Sequence, residues 1–182
     1  MHSQPARPTK VEGRGLQAFF AGIHALHPLE NITFLCIGTD RSTGDALGPL
    51  TGTMLLEQGF QDVIGTMVNP CDASNLSRRL QQVPKQRIVI AIDACLGQPG
   101  AVGSFLTADS PLYPAASIGL DLPAVGHYSI AAVVNEQGPR PYATLQMTSL
   151  HHVLGMASII AKSAAAGFGL HPQHGTAEYG FR

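Results

Sequence analysis

Two carboxylates stand where an α/β enzyme would place reactive acids. Asp45 closes the run Gly38-Thr-Asp-Arg-Ser-Thr-Gly-Asp45, and Asp93 directly follows the apolar run Arg87-Ile-Val-Ile-Ala-Ile92. Paired carboxylates suit the activation of water, because mutual repulsion raises one pKa, so that one acid donates a proton while its ionised partner accepts one. Structural roles compete with this chemistry. Ser42-x-x-Asp45 has the spacing of a capping box. With Ser42 as N-cap, however, Pro49 would lie inside the helix and remove a backbone hydrogen bond, whereas a helix starting near Ala46 holds Pro49 in its first turn. Asp45 then remains a candidate for the helix entrance on dipole grounds alone, and Asp93 for a turn-fixing acid after its strand.

Gly38, Asp40, Arg41 and Ser42 in the same loop, with Asn69 farther along, are the candidate substrate-binding residues. Asp40 and Arg41 have a plainer alternative as an exposed ion pair that orients the loop. The loop is not a phosphate cradle: it lacks the Lys and Ser/Thr that follow the second glycine of a Walker motif, and it lacks G-x-G-x-x-G. His127, His151 and His152 titrate near neutrality but are poorly placed. His127 precedes a strand expected to run parallel, which puts it at the edge opposite the two aspartates, and His151 and His152 fall on the final helix. Cys36, Cys71 and Cys95 form no CxxC pair, so neither a disulfide framework nor a structural zinc site is expected. No metal and no cofactor is assigned.

The elements that must position these residues follow from hydrophobic periodicity. Leu16, Phe19, Phe20, Ile23 and Leu26 predict an amphipathic helix that stops near Pro28. Residues 32–37 predict a strand, Leu47 to Leu55 a helix ending at Gly59, 62–68 a second strand, 75–83 a short helix and 87–92 a third strand. Continuous apolar strands alternating with helices imply a largely parallel sheet buried on both faces, and ligands of such sheets gather beyond the carboxyl ends of the strands. Residues 102–107 follow too closely for a helical crossover and predict an antiparallel edge strand. Residues 109–126 read as a long irregular loop, 128–134 and 142–147 as two more strands, and 149–166 as a last helix with Gly167 as its left-handed cap. The domain organisation is a flexible tail over 1–13, one α/β domain over 14–166 and a flexible tail over 167–182.

Composition agrees with one domain: 182 residues, 45% hydrophobic, with 11 basic and 12 acidic side chains that nearly cancel. No electrostatic footprint for nucleic acid or anionic membrane is present. The longest apolar runs fall well short of the roughly 20 residues that span a bilayer. The first residues lack the apolar stretch of a secretory signal, making the cytoplasm the expected compartment.

Gly38-Thr-Asp-Arg-Ser-Thr-Gly-Asp45-Ala-Leu-Gly-Pro49, Ile90-Ala-Ile-Asp93-Ala-Cys-Leu-Gly97 and Asp121-Leu-Pro-Ala-Val-Gly126 resemble the YyaC family of sporulation proteins over roughly residues 32–166. That family resembles the spore germination protease and, more remotely, the hydrogenase maturation proteases. The resemblance implies a three-layer α/β/α, phosphorylase/hydrolase-like fold with a mostly parallel mixed sheet. It also implies endopeptidase activity with Asp45 and Asp93 as the catalytic pair, a protein or peptide substrate such as the small acid-soluble spore proteins, and a location in the sporulating cell or spore. A homo-oligomer through the last helix is a further expectation, as is the alternative of a binding protein that keeps the protease fold without turnover. In hydrogenase maturation proteases a Glu or Asp, an Asp and a His hold nickel. Asp45 and Asp93 match the first two, but no histidine lies between Asp109 and Gly126. Ala115 and Ala116 stand where the resembled family tends to carry glycine, and His127 where it carries an acid.

Overall fold

The computed structural model describes residues 7–114 and 122–170. A six-stranded mixed sheet has the order β1-β5-β6-β4-β2-β3. Its strands are β1 (Thr9–Val11), β2 (Ile32–Cys36), β3 (Val63–Ile64), β4 (Ile88–Gly97), β5 (Phe105–Ala108) and β6 (Tyr128–Glu136). The helices are α1 (Gly13–Leu26), α2 (Leu47–Glu57), α3 (Leu76–Gln81), α4 (Pro141–Gln146) and α5 (Leu150–Gly167). β3, β2, β4 and β6 run parallel, while β5 is antiparallel to both β6 and β1.

Strand alternation divides the core in two. Phe34 and Cys36 of β2 with Ile90, Ile92 and Ala94 of β4 meet α1, α2 and α5, whose buried stripe includes Leu16, Phe20, Leu55 and Ile160. Leu35 of β2 with Val89 and Ala91 of β4 face Leu76 of α3 and Val125 instead. The first layer is built from three helices. The second is one six-residue helix and a stretch of irregular chain in which Leu112 and Val125 exchange backbone hydrogen bonds. No helix among the described residues is long and apolar enough to cross a membrane.

Several sequence expectations are corrected. Residues 9–11, assigned to the N-terminal tail, form β1, which covers β5, so β5 is not the edge strand. The second strand shrinks to two residues because Gly65 turns away with φ +90°, its α-carbon so close to Cys36 that a β-carbon would lie 1.8 Å from the Cys36 carbonyl oxygen. Residues 142–147 are helical: Pro141 opens α4, and the Thr144 and Met147 amides bond four residues back. At the C-terminal boundary Gly167 belongs to α5, pressed against Phe20 where a β-carbon would approach to 2.5 Å, and the left-handed residue is Gly169 at φ +69°. Phe168 is buried in the core, so the fold continues past residue 166. The remaining tail residues 1–6 and 171–182, and the substituted pair Ala115 and Ala116, lie outside the described residues.

Candidate functional site

β2 ends at Cys36, opposite Ile92, while β4 continues to Gly97 beside β6. The flank of β4 beyond Ile92 is therefore left open by β2, and the chain after Cys36 fills it only in part. Asp93 stands there. It does not follow its strand, as the sequence suggested, but lies within it opposite Ala131, because pairing with β6 carries the strand onward. The alternation that sends Ile90 and Ile92 into the thick layer turns Asp93 toward the thin one.

A cavity of about 130 Å³ opens at this point, lined by Asp45, Asp93, Asp72, Gly38 and the apolar side chains of Ile37, Leu122, Tyr142 and Leu145 among others. Asp45 arrives from the loop between β2 and α2. Gly38, at φ +150°, allows the turn: a β-carbon would lie 2.0 Å from the Asp45 carbonyl oxygen. That carbonyl accepts the Thr39 amide at 3.2 Å, and the Gly44 amide donates to Leu145 of α4 at 2.8 Å. α2 begins at Leu47 with Ala46 in the cap position and Pro49 in its first turn, as Pro49 required, so the residue at the cap has no polar side chain with which to cap. Burial lifts the Asp45 carboxyl above its usual pKa, and the neighbouring Ser42 hydroxyl offsets part of the rise. Ser42 is itself buried, and among the described residues its Oγ makes no hydrogen bond of ordinary geometry, so its influence on Asp45 is one of proximity.

Asp93 Oδ1 accepts the Ala94 amide at 2.8 Å. Two positions along, the Cys95 thiol is pushed up to about 12 by burial and by the Asp93 charge, which makes it a protonated bystander at neutral pH. Cys71 is raised to about 11, mainly by burial, and Cys36 is raised more strongly for the same reason with Cys71 adding to it.

Asp72 is the cavity acid that sequence reasoning missed. Its Oδ1 accepts both the Ser74 amide at 2.9 Å and the Ser74 hydroxyl at 2.5 Å, and Arg41 Nη2 lies 3.3 Å from Oδ2. The Ser74 hydroxyl foremost, then the Ser74 amide and Arg41, hold its carboxyl below the usual range against a partial burial cost. The signal was present in Asp72-Ala-Ser, an Asx-turn pattern beyond the second strand, in the same topological position as Asp45. Tyr142 and Leu145 were missed because their segment read as a strand.

Of the proposed substrate contacts, Gly38 lines the cavity, while Asp40, Arg41, Ser42 and Asn69 do not. Arg41 pairs with Asp72 rather than Asp40, and the exposed Asn69 accepts a hydrogen bond from Arg79. His127 donates its amide to Val89 and receives the Val89 amide on Nδ1, placing it at the opposite end of β4 from Asp93, as expected. His151 is exposed and His152 half-buried on α5. Among the described residues no three His, Cys, Asp or Glu side chains converge as a metal site requires, and no histidine lines the cavity, so this donor set does not fit nickel.

A solved structure of the [NiFe] hydrogenase maturation protease HycI from Thermococcus kodakarensis KOD1 superposes with a TM-score of 0.52 at 18% identity, covering 76% of this chain and 92% of that one. At that identity the likeness shows the fold. The [NiFe] hydrogenase maturation protease HybD from Thermococcus kodakarensis matches at 16% identity and a TM-score of 0.48, over 74% of this chain and 96% of that one. In sequence the chain is 43% identical over 136 residues to the uncharacterized protein YyaC of Bacillus subtilis (strain 168), covering 72% of this chain. It spans 66% of that relative's length. The family model described as "Protein of unknown function (DUF1256)" matches residues 15–163, and the chain belongs to that family.

Proposed function

We propose that the chain is a peptide-bond hydrolase of sporulating cells in which Asp45 and Asp93 act together on one water molecule. The observation that carries the reading is that both acids, Asp45 from the loop after β2 and Asp93 from the neighbouring parallel strand β4, line the same cavity while burial raises the pKa of Asp45. An acid whose burial favours the protonated form is suited to be the donor, which assigns that role to Asp45. Asp93 takes a proton as the water oxygen attacks the carbonyl carbon, and Asp45 gives one to the departing amine, so the proton count is unchanged when the C–N bond breaks. The protease fold of the HycI structure is compatible with this chemistry. The motif resemblance supports a setting in the sporulating cell or spore and small acid-soluble spore proteins as substrates.

The test is cleavage of spore extracts and of isolated small acid-soluble proteins by wild type, Asp45→Asn and Asp93→Asn, each verified as folded. Loss of one proton-transfer group is expected to slow cleavage by roughly 100-fold or more. Undiminished cleavage by both variants would sink the proposal.

A second reading has its own observation. The Ala94 amide already occupies Asp93 Oδ1, and an aspartate tied to its own backbone suits a site that grips a peptide without cutting it. Under that reading wild type retains substrate proteins intact, with no new termini after prolonged incubation.

A further inference from the structure

The cavity beside Asp45 and Asp93 is more apolar than a site built only to hold water. Ile37, Leu122, Tyr142 and Leu145 form much of its wall, with Ala94 and Ala73 between them. We propose that it is a specificity pocket that takes one medium-sized aliphatic side chain, of the size of Leu, Ile or Met, from a residue next to the bond being cut. This inference rests on the peptidase reading and names the substrate class of the same site.

Volume decides the size of the occupant. A cavity of about 150 Å³ lined by aliphatic and aromatic side chains accommodates one benzene molecule, and this one measures about 130 Å³. A four-carbon side chain therefore fits, whereas an indole, larger than benzene, would project from the open side.

Charge decides the polarity. The Asp72 and Asp93 carboxylates on the wall repel an acidic side chain. A lysine gains little in return, because Asp72 is already satisfied by Ser74 and Arg41 and its ammonium would still have to be desolvated among apolar groups. An aliphatic side chain meets neither penalty, and each methylene it buries adds to binding.

The walls also identify variants that reshape the pocket without disturbing the core. Tyr142 lines the cavity yet is 58% exposed, so Tyr142→Ala opens one side. Ala73 is exposed at the rim, so Ala73→Leu fills space from the opposite direction.

The test uses decapeptide libraries in which one position is fixed as Ala, Leu, Met, Trp, Lys or Glu and the others are randomised. Cleavage by wild type is read by mass spectrometry, and retention is read on immobilised Asp45→Asn protein, which keeps the Asp72 and Asp93 carboxylates so that a preference for lysine is not erased. Leu and Met are expected to exceed Ala by roughly 50-fold, from about three extra buried carbons, and Trp, Lys and Glu to fall well below them. Tyr142→Ala should raise Trp relative to Leu, and Ala73→Leu should shift the preference toward Ala. Graded retention without cleavage would overturn the peptidase reading while upholding the pocket. Cleavage that is indifferent to the fixed residue, or that favours Lys or Glu, would overturn the pocket while upholding the peptidase, and flat retention together with no cleavage would overturn both.

Discussion

Burial lifts the carboxyl of Asp45 above its ordinary 3.8, whereas Ser74 and Arg41 hold Asp72 below it, so the two acids respond to pH in opposite directions. Between 3.8 and its raised folded value, Asp45 in the folded chain retains a proton that the unfolded chain has already released. Its contribution to stability is complete below 3.8 and is lost as pH rises through the folded pKa. A neutral asparagine in its place would carry no such burden. Asp45→Asn is therefore expected to gain in melting temperature relative to wild type on going from about pH 4 to about pH 7, although it loses proton-donor function. Thermal melts of both proteins across that range test it, and a constant difference would show that burial does not oppose the Asp45 charge. Asp72 runs the other way: its stabilising interactions are present above 3.8 and fade as pH falls through its lowered value.

At the scale of elements, the β2–α2 connection makes the site possible by bringing two backbones to near contact. A β-carbon on Gly48 would lie 1.9 Å from the Ile37 carbonyl oxygen, and the obstacle is backbone, which no rotamer change can remove. Gly48→Ala must push α2 off the end of β2, at a cost of about 3 kcal/mol by the scale of overpacked cores, and it displaces Asp45 along with the helix entrance. Urea unfolding measures the first effect and peptide cleavage the second; a variant of wild-type stability would refute the close approach. The entrance was legible in the sequence because Pro49 restricts where α2 can start. The parallel neighbours β2 and β4 were legible because fully apolar runs alternate with amphipathic helices. What was hidden depended on partners distant in the chain. β4 outruns its apolar stretch because β6 supplies hydrogen bonds to Gly97, so Asp93 lies in a strand rather than after it. α4 reads locally as a strand, yet Pro141 and the docking of Leu145 on Gly44 make it a helix. β1 has only three residues, and its sheet partner, β5, is far along the chain.

Across the whole molecule the sheet separates stability from chemistry. Its thick face carries an aromatic cluster in which Phe34 and Phe60 approach to 4.8 Å between ring centroids and Phe168 meets Phe60 edge-on at 5.8 Å. Among the described residues its thin face is covered by α3 and irregular chain, and the cavity with its carboxylates opens beyond the end of β2, where Ala94 and Leu145 of the thick-face core complete part of its wall. Phe168 is the instructive residue, since it lies past the last residue that the sequence assigned to the domain and is nonetheless 4% exposed. It closes the cluster from the end of α5, touching Phe20 and Phe34 as well as Phe60. Phe168→Ala leaves a void among rings that cannot collapse together, so a loss of about 3–5 kcal/mol is expected. In urea the midpoint should fall while the slope stays the same, because the surface exposed on unfolding is nearly unchanged. Since none of these rings lines the cavity, the folded fraction should retain or cleave peptides as wild type does at a temperature where it remains folded. A drop in peptide selectivity equal to that of Tyr142→Ala would mean instead that the two faces are coupled through β2 and β4, whose alternate side chains serve both.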